Sequence, residues 1–304
     1  MNFFVHLTPQ TAREALASAG LVCAPGDLQV NRREERWAVL LPGQRIAWFP
    51  ASELGASRLA VERRVLSLLA VRCSFAVPRL LWISPCNFDI RHLVPGRCEP
   101  WPLFHRCQKD VSLARRIGWS LGTILAEQHA SIGETEAAGW LPRRVAWPQT
   151  SRWIHERLRH VVDDDGLVRA MEEAIGRYEA VLVDPGDRVL VHGDVGLHNL
   201  ALDPRSDTVN GIFDYDSAAW ADRHHDFRYL LFDVGRDDML DAAVEAYEPA
   251  VGRTLDRNRL RLYNAACAVS YLAFRLGTPS EHKSCGRTLA EDICWVRTAL
   301  AKLA

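Results

Sequence analysis

Apolar positions fall into two textures along the chain. Up to about residue 95 they come as short runs divided by turn residues. RWAVLL (36–41) and RIAWF (45–49) flank Pro42-Gly43-Gln44, which predicts a β-hairpin. Residues 79–84 and 88–94 predict two more strands, the second broken by Pro95-Gly96. A helix is expected over 10–20, closed by Gly20, and another over 57–70 with Ser57 as its cap. In the second helix Leu59, Leu66 and Leu69 share a face, and Glu62 falls on that same face. A carboxylate on an apolar face is costly unless paired, so Glu62 is expected to meet a cation.

Beyond residue 95 helical spacing dominates. Helices are expected over 112–130, 151–160, 168–183, 226–233, 239–251, 255–276 and 287–303. Short strands interrupt them at 188–191, 200–202 and 209–213. A strand-rich third before a helix-rich remainder argues α+β with two lobes, divided as 1–95 and 96–304, rather than an alternating α/β sheet. The 304 residues suit two lobes.

Composition narrows the function classes. The chain is 48% hydrophobic and 25% charged with a formal net charge of -1, so nucleic-acid or anionic-membrane partners are not expected. No apolar run reaches the roughly 18 residues of a membrane span, and the first residues lack a signal-peptide pattern. Eight cysteines without a CxxC pair fit reduced thiols and a cytoplasmic setting. Of the 37 basic residues only Lys109, Lys283 and Lys302 are lysines.

Two polar clusters carry candidate chemistry. VHGDVGLHNL (191–200) places Asp194 at the end of an apolar strand, with Gly193 and Gly196 permitting a turn and Asn199 five residues on. GIFDYD (211–216) repeats the theme with Asp214 and Asp216. Strand ends of this kind gather oxygen ligands, which suit Mg²⁺. A carboxylate left free of metal accepts a proton from an alcohol. Metal, base and room for a polyphosphate together suit phosphoryl transfer to a hydroxyl. Zinc at His192, His198, His224 or His225 is not expected, because neither helical HxxxH spacing nor a Cys partner accompanies them.

From about residue 27 to 232 the chain resembles the aminoglycoside phosphotransferase and choline kinase-like family. The resemblance rests on His192-Gly193-Asp194, Asn199, Phe213-Asp214, Ala221-Asp222-Arg223 and Asp226, with LAEQH at 125–129 and IRHLVPG at 90–96 in support. It implies a bilobal protein kinase-like fold and an enzyme that uses ATP or GTP with Mg²⁺ to phosphorylate a small-molecule hydroxyl. It implies that Asp194 is the base, that Asn199 and Asp214 hold Mg²⁺, and that His192 and Asp226 fix the loop; the strand-end pattern adds Asp216 as a further candidate ligand.

The chain departs from that pattern in its first lobe. The third-strand Lys expected to pair with Glu62 and the nucleotide phosphates is Trp48 here, and no lysine lies near. Arg36 or Arg45, on the same hairpin, is expected to supply the charge for Glu62 and the phosphates. The segment 30–36 has no Gly where a phosphate-covering loop often carries one. The alternative reading is a non-catalytic kinase-fold binding protein. The sequence leaves the acceptor, ATP against GTP, and the oligomeric state open.

Overall fold

The computed structural model describes residues 6–279, 281–283 and 286–303. Elements run in the order α1 (Pro9–Ala17), β1 (Gln29–Arg33), β2 (Arg36–Leu41), β3 (Arg45–Pro50), α2 (Glu53–Arg72), β4 (Arg79–Ile83), β5 (Asp89–His92), α3 (Pro100–Lys109), α4 (Val111–Ala130) and α5 (Glu134–Ala137). They continue as α6 (Ser151–Leu158), α7 (Asp165–Glu179), β6 (Arg188–Val191), β7 (Leu200–Leu202), β8 (Val209–Ile212), β9 (Ala219–Asp222), α8 (His224–Tyr229), α9 (Asp237–Val251), α10 (Arg257–Phe274) and α11 (Leu289–Ala301). This is the two-lobed α+β architecture that the texture of the sequence predicts, and the kinase-like fold that the resemblance implies. The chain forms two compact units.

The first unit comprises Met1–Cys98, Gly139–Leu141 and His198–Ala218. Its sheet has the order β1-β2-β3-β5-β4 with every neighbouring pair antiparallel. The predicted hairpin is β2 and β3, with Arg36 opposite Pro50 and Leu41 opposite Arg45. Val39, Leu41, Ala47, Phe49, Phe88 and Ile90 share a core with Ala12, Ala15 and Leu16 of α1. Along α2, Leu59, Val65, Leu66 and Leu69 are buried. Its cap is Ser52, whose hydroxyl accepts from Gly55 N–H, rather than Ser57. The β7–β8 hairpin joins this unit through backbone pairs of Ala76 with Gly211 and of Arg97 with Leu202.

The second unit comprises Glu99–Ala138, Pro142–Leu197 and Ala219–Ala304. β6 and β9 form an antiparallel ribbon, with Val191 opposite Ala219. The helical core gathers Ile154, Leu158, Met171, Ile175, Val269, Leu272 and Val296. α4 and α9 meet closely at two glycines. A Cβ on Gly118 or Gly122 would collide with the carbonyl oxygen of Met239 or Ala243 respectively.

The chain passes from the first unit to the second between Cys98 and Glu99, and residues 198–218 belong with the first unit. Among the described residues no helix is long and apolar enough to cross a membrane. None of the seven described cysteines is in a disulfide, and Cys285 lies outside the described residues, as do residues 1–5 of the signal-peptide reading.

Candidate active site

In the first unit a chain of alternating charges runs through the sheet and α2. Arg63 Nε donates to Asp89 Oδ2 and Arg91 Nε to Asp89 Oδ1, each at 2.6 Å. Arg91 Nη1 lies 2.8 Å from Glu62 Oε1, and Arg36 Nη1 donates to Glu62 Oε2 at 3.0 Å. The other Arg36 nitrogen, Nη2, donates to Asp214 Oδ1 at 2.9 Å and to Asp216 Oδ2 at 2.8 Å. Glu62 is 1% exposed and therefore carries the pairing that its position on an apolar helix face demands. Burial by itself raises its carboxyl, but Arg91 and Arg36 outweigh that and hold it below the usual range.

Trp48 supports the cation that β2 contributes beside Arg91 of β5. The Arg36 guanidinium lies 4.4 Å from the centre of the Trp48 ring, a cation–π contact. The residue at the expected lysine position is thus a platform for an arginine on the neighbouring strand. Of the two arginines expected to replace the lysine, Arg36 reaches Glu62. Arg45 does not, because its Nε donates to the Pro42 carbonyl at the turn, at 2.8 Å.

Asp214 follows β8 with φ +68, a left-handed conformation that Asp tolerates better than most residues. Asn199 is buried, and its carbonyl accepts from Phe213 N–H at 3.1 Å, which fixes it beside the residue preceding Asp214. The Asp216 carboxyl is pushed up to about 7 by burial and then by the negative charge of Asp214. Asn199, Asp214 and Asp216 offer oxygen donors only, the donor chemistry of a hard divalent cation. Among the described residues no group of three or more His, Cys, Asp or Glu side chains is arranged to hold a metal ion by itself.

In the second unit Asp194 stands just past β6, half-buried, on a loop fixed by one carboxylate. Asp226 is fully buried at the start of α8. Its Oδ2 accepts from His192 N–H at 2.9 Å and from Gln128 Nε2 at 3.0 Å, and its Oδ1 accepts from Gly193 N–H at 2.9 Å. His129 Nε2 lies 3.1 Å from Oδ2, and His129 Nδ1 lies 2.8 Å from the Tyr247 hydroxyl. The carboxylate only accepts, so the tautomer assigned to His129 carries its proton on Nε2. Burial works to raise Asp226, but the bond from His129 and the Gly193 N–H prevail and lower it. Gly193, at φ +83, gives the loop its left-handed turn. The His192 ring accepts the Asp194 N–H on Nδ1 at 3.1 Å and is fully buried, so His192 supports the loop from inside. The Tyr229 hydroxyl donates to Asp194 Oδ1.

Sequence reading did not anticipate Arg91, Asp89, Arg63 or Tyr229. The Asp89–Arg91 pair had a signal, since opposite charges two residues apart in the apolar strand FDIRHLV point to the same face. For Tyr229 there was none, because its partner lies 35 residues away.

A family model described as the phosphotransferase enzyme family matches residues 33–263. The chain belongs to that family. It is a phosphotransferase with an alcohol group as acceptor. Solved structures agree on the fold. The GDP complex of wild-type aminoglycoside 2'-phosphotransferase-IIIa is 18% identical with TM-score 0.69, covering 96% of this chain and 98% of that one. The GDP and kanamycin complex of APH(2")-IIia is 21% identical with TM-score 0.67, covering 97% and 96%. The macrolide 2'-phosphotransferase MphH from Brachybacterium faecium is 21% identical with TM-score 0.64, covering 97% and 98%. No curated protein matches the chain significantly.

Proposed function

We propose that this phosphotransferase moves the γ-phosphoryl group of ATP or GTP to the hydroxyl of a small molecule, with Asp194 as base. The observation that carries this reading is the Asp194 loop. A half-exposed carboxylate is held at a strand end by a buried Asp226 that takes four hydrogen-bonding partners. Such a fixed carboxylate accepts the proton of the acceptor hydroxyl as its oxygen bonds to the γ-phosphorus and the bond to the nucleoside diphosphate breaks. Tyr229 donates to Oδ1 of Asp194 and so helps to fix the carboxylate.

Asn199 and Asp214, with Asp216 beside them, would hold Mg²⁺, which when bound neutralises charge on the transferred phosphoryl group. Arg36 takes the place of the expected lysine. Its two nitrogens span Glu62 and Asp214, so fixed partners hold its charge beside the carboxylates proposed to take Mg²⁺. The cytoplasm is the proposed setting.

The test is thermal unfolding with Mg²⁺ alone and then with ATP or GTP plus Mg²⁺. A nucleotide at about 100 times its Kd adds roughly 2.7 kcal/mol to stability. The expected result is a nucleotide-dependent shift retained in Asp194→Ala, together with phosphate transfer that Asp194→Ala abolishes. Transfer that survives Asp194→Ala removes it as the base. Trp48 at the lysine position favours one other reading, a kinase fold that binds a ligand without turnover. A folded chain with no shift from either nucleotide would favour that reading.

A further inference from the structure

The second unit carries a run of aromatic rings that begins at the candidate base. Tyr229, which donates to Asp194, lies 5.9 Å from Phe232 between ring centres. Phe232 lies 6.0 Å from Tyr271, Tyr271 lies 6.5 Å from Phe274, and Phe274 lies 6.1 Å from Trp147. Tyr271 and Phe274 stand three residues apart near the end of α10, on one face. Phe274 is 54% exposed, and Trp147, Tyr271 and Phe232 are half-buried. A contiguous row of partly exposed large rings is uncommon on a surface that binds nothing.

Arg228 locks this row to the base loop. One nitrogen, Nη2, donates to both the Trp147 carbonyl and the Gly193 carbonyl, at 3.3 Å each. Arg228 is 1% exposed and has no carboxylate within ion-pair distance among the described residues. Its charge is offset by carbonyls and by the Tyr229 ring 4.3 Å away. A second guanidinium, Arg287, lies 5.8 Å from the Tyr271 ring and 4.9 Å from the Trp295 ring. Asp292, the acid beside it, is committed to Arg287 at 2.8 Å and to Arg275 at 3.4 Å.

We propose that this aromatic shelf is the acceptor-binding surface, and that it takes a neutral or anionic alcohol with a flat apolar face while disfavouring polycations. This rests on the phosphotransferase reading and names its substrate class. Ring faces supply area to a flat apolar surface and orient it through stacking. The hydroxyl is then carried to Asp194 at the Tyr229 end. Buried and ring-stacked arginines repel a polyamine and tolerate a carboxylate or a neutral sugar. An amine-rich acceptor would instead need acids along the shelf beyond Asp194, and Asp292 is committed to Arg287 and Arg275.

Calorimetric titration of the full chain, without nucleotide, tests this with 4-nitrophenyl β-glucoside as neutral probe, its glucuronide as anionic probe and kanamycin as polycation. The aryl probes should bind at least about tenfold tighter than kanamycin, and Phe274→Ala and Trp147→Ala should each weaken them about tenfold. Both variants should keep the melting shift given by nucleotide plus Mg²⁺. Kanamycin binding as tightly as the aryl probes, aryl probes failing to bind at millimolar concentration, or unchanged affinity in Phe274→Ala would overturn the proposal. Loss of the nucleotide shift in the unaltered chain would instead strike at the phosphotransferase mechanism and leave the shelf result readable.

Discussion

Arg36 concentrates the energetics of the first unit in one side chain. It is buried between three carboxylates and the Trp48 ring. Removing one partner of a buried pair leaves an uncompensated charge, so Arg36→Ala should destabilise by about 3 kcal/mol in urea unfolding. Arg36→Lys should rescue little, because one ammonium does not reproduce the fork that spans Glu62 and the Asp214–Asp216 pair. Equal stabilities of the two variants and the parent would contradict this. In the second unit His225 sets an acid limit. It is buried against Tyr263, with ring centres 4.5 Å apart, and burial followed by the Arg228 charge lowers it to about 3. The unfolded chain takes the proton near pH 6.5 and the fold does not, so stability falls as pH drops from about 6.5 toward 3. By pH 5 the loss is on the order of 2 kcal/mol. His225→Gln should flatten the stability profile in that window. The lowered Asp226 acts in a separate window, since its stabilisation is lost only as pH falls below the usual carboxylate range. An unchanged slope between pH 6.5 and 5 in His225→Gln would exclude His225 as the source.

At the scale of elements, the most constrained pairing is α4 against α9. Gly118 and Gly122 lie four residues apart on one face of α4, and each admits a carbonyl oxygen of α9 where a side chain would otherwise stand. Gly122→Ala raises helix propensity and yet should destabilise by about 1–3 kcal/mol, because the helices must separate. Denaturant midpoints read the sign directly, and a stabilised variant would show that α9 can yield. The long helices and the β2–β3 hairpin were legible because their apolar spacing was regular. β1 was not, because Gln29–Arg33 is polar along almost its whole length and finds its place only by pairing with β2. α3 was missed for a different reason. It opens on Pro100 and Pro102, and it buries only Leu103 and Cys107.

For the whole molecule, membership of the phosphotransferase enzyme family and the kinase-like fold give the two units their meaning. The nucleotide prediction belongs at this scale, because ligand binding stabilises the fold it binds. Asp214→Ala should abolish the Mg²⁺-dependent part of the nucleotide melting shift, worth roughly 2.7 kcal/mol at about 100 times Kd. A full shift in Asp214→Ala would remove that residue from the proposed metal set. The change from short strands to long helices was legible along the sequence. That residues 198–218 join the first unit was not, because backbone bonds from Ala76 and Arg97 decide it.

The sequence by itself determined the fold class, the family and the identity of the polar residues at the strand ends. These rest on local spacing and on motif order, which the chain carries along its length. Only the tertiary structure decided which of the two hairpin arginines meets Glu62. Arg36 and Arg45 sit on one hairpin and read alike. Their difference arises because Arg36 begins β2 beside the Trp48 ring and faces Glu62 from 26 residues away and Asp214 from 178 away, whereas Arg45 turns back to its own hairpin. The same holds for Tyr229 and Asp194. Pairing across long stretches of chain depends on where packing brings side chains, and periodicity carries no record of it.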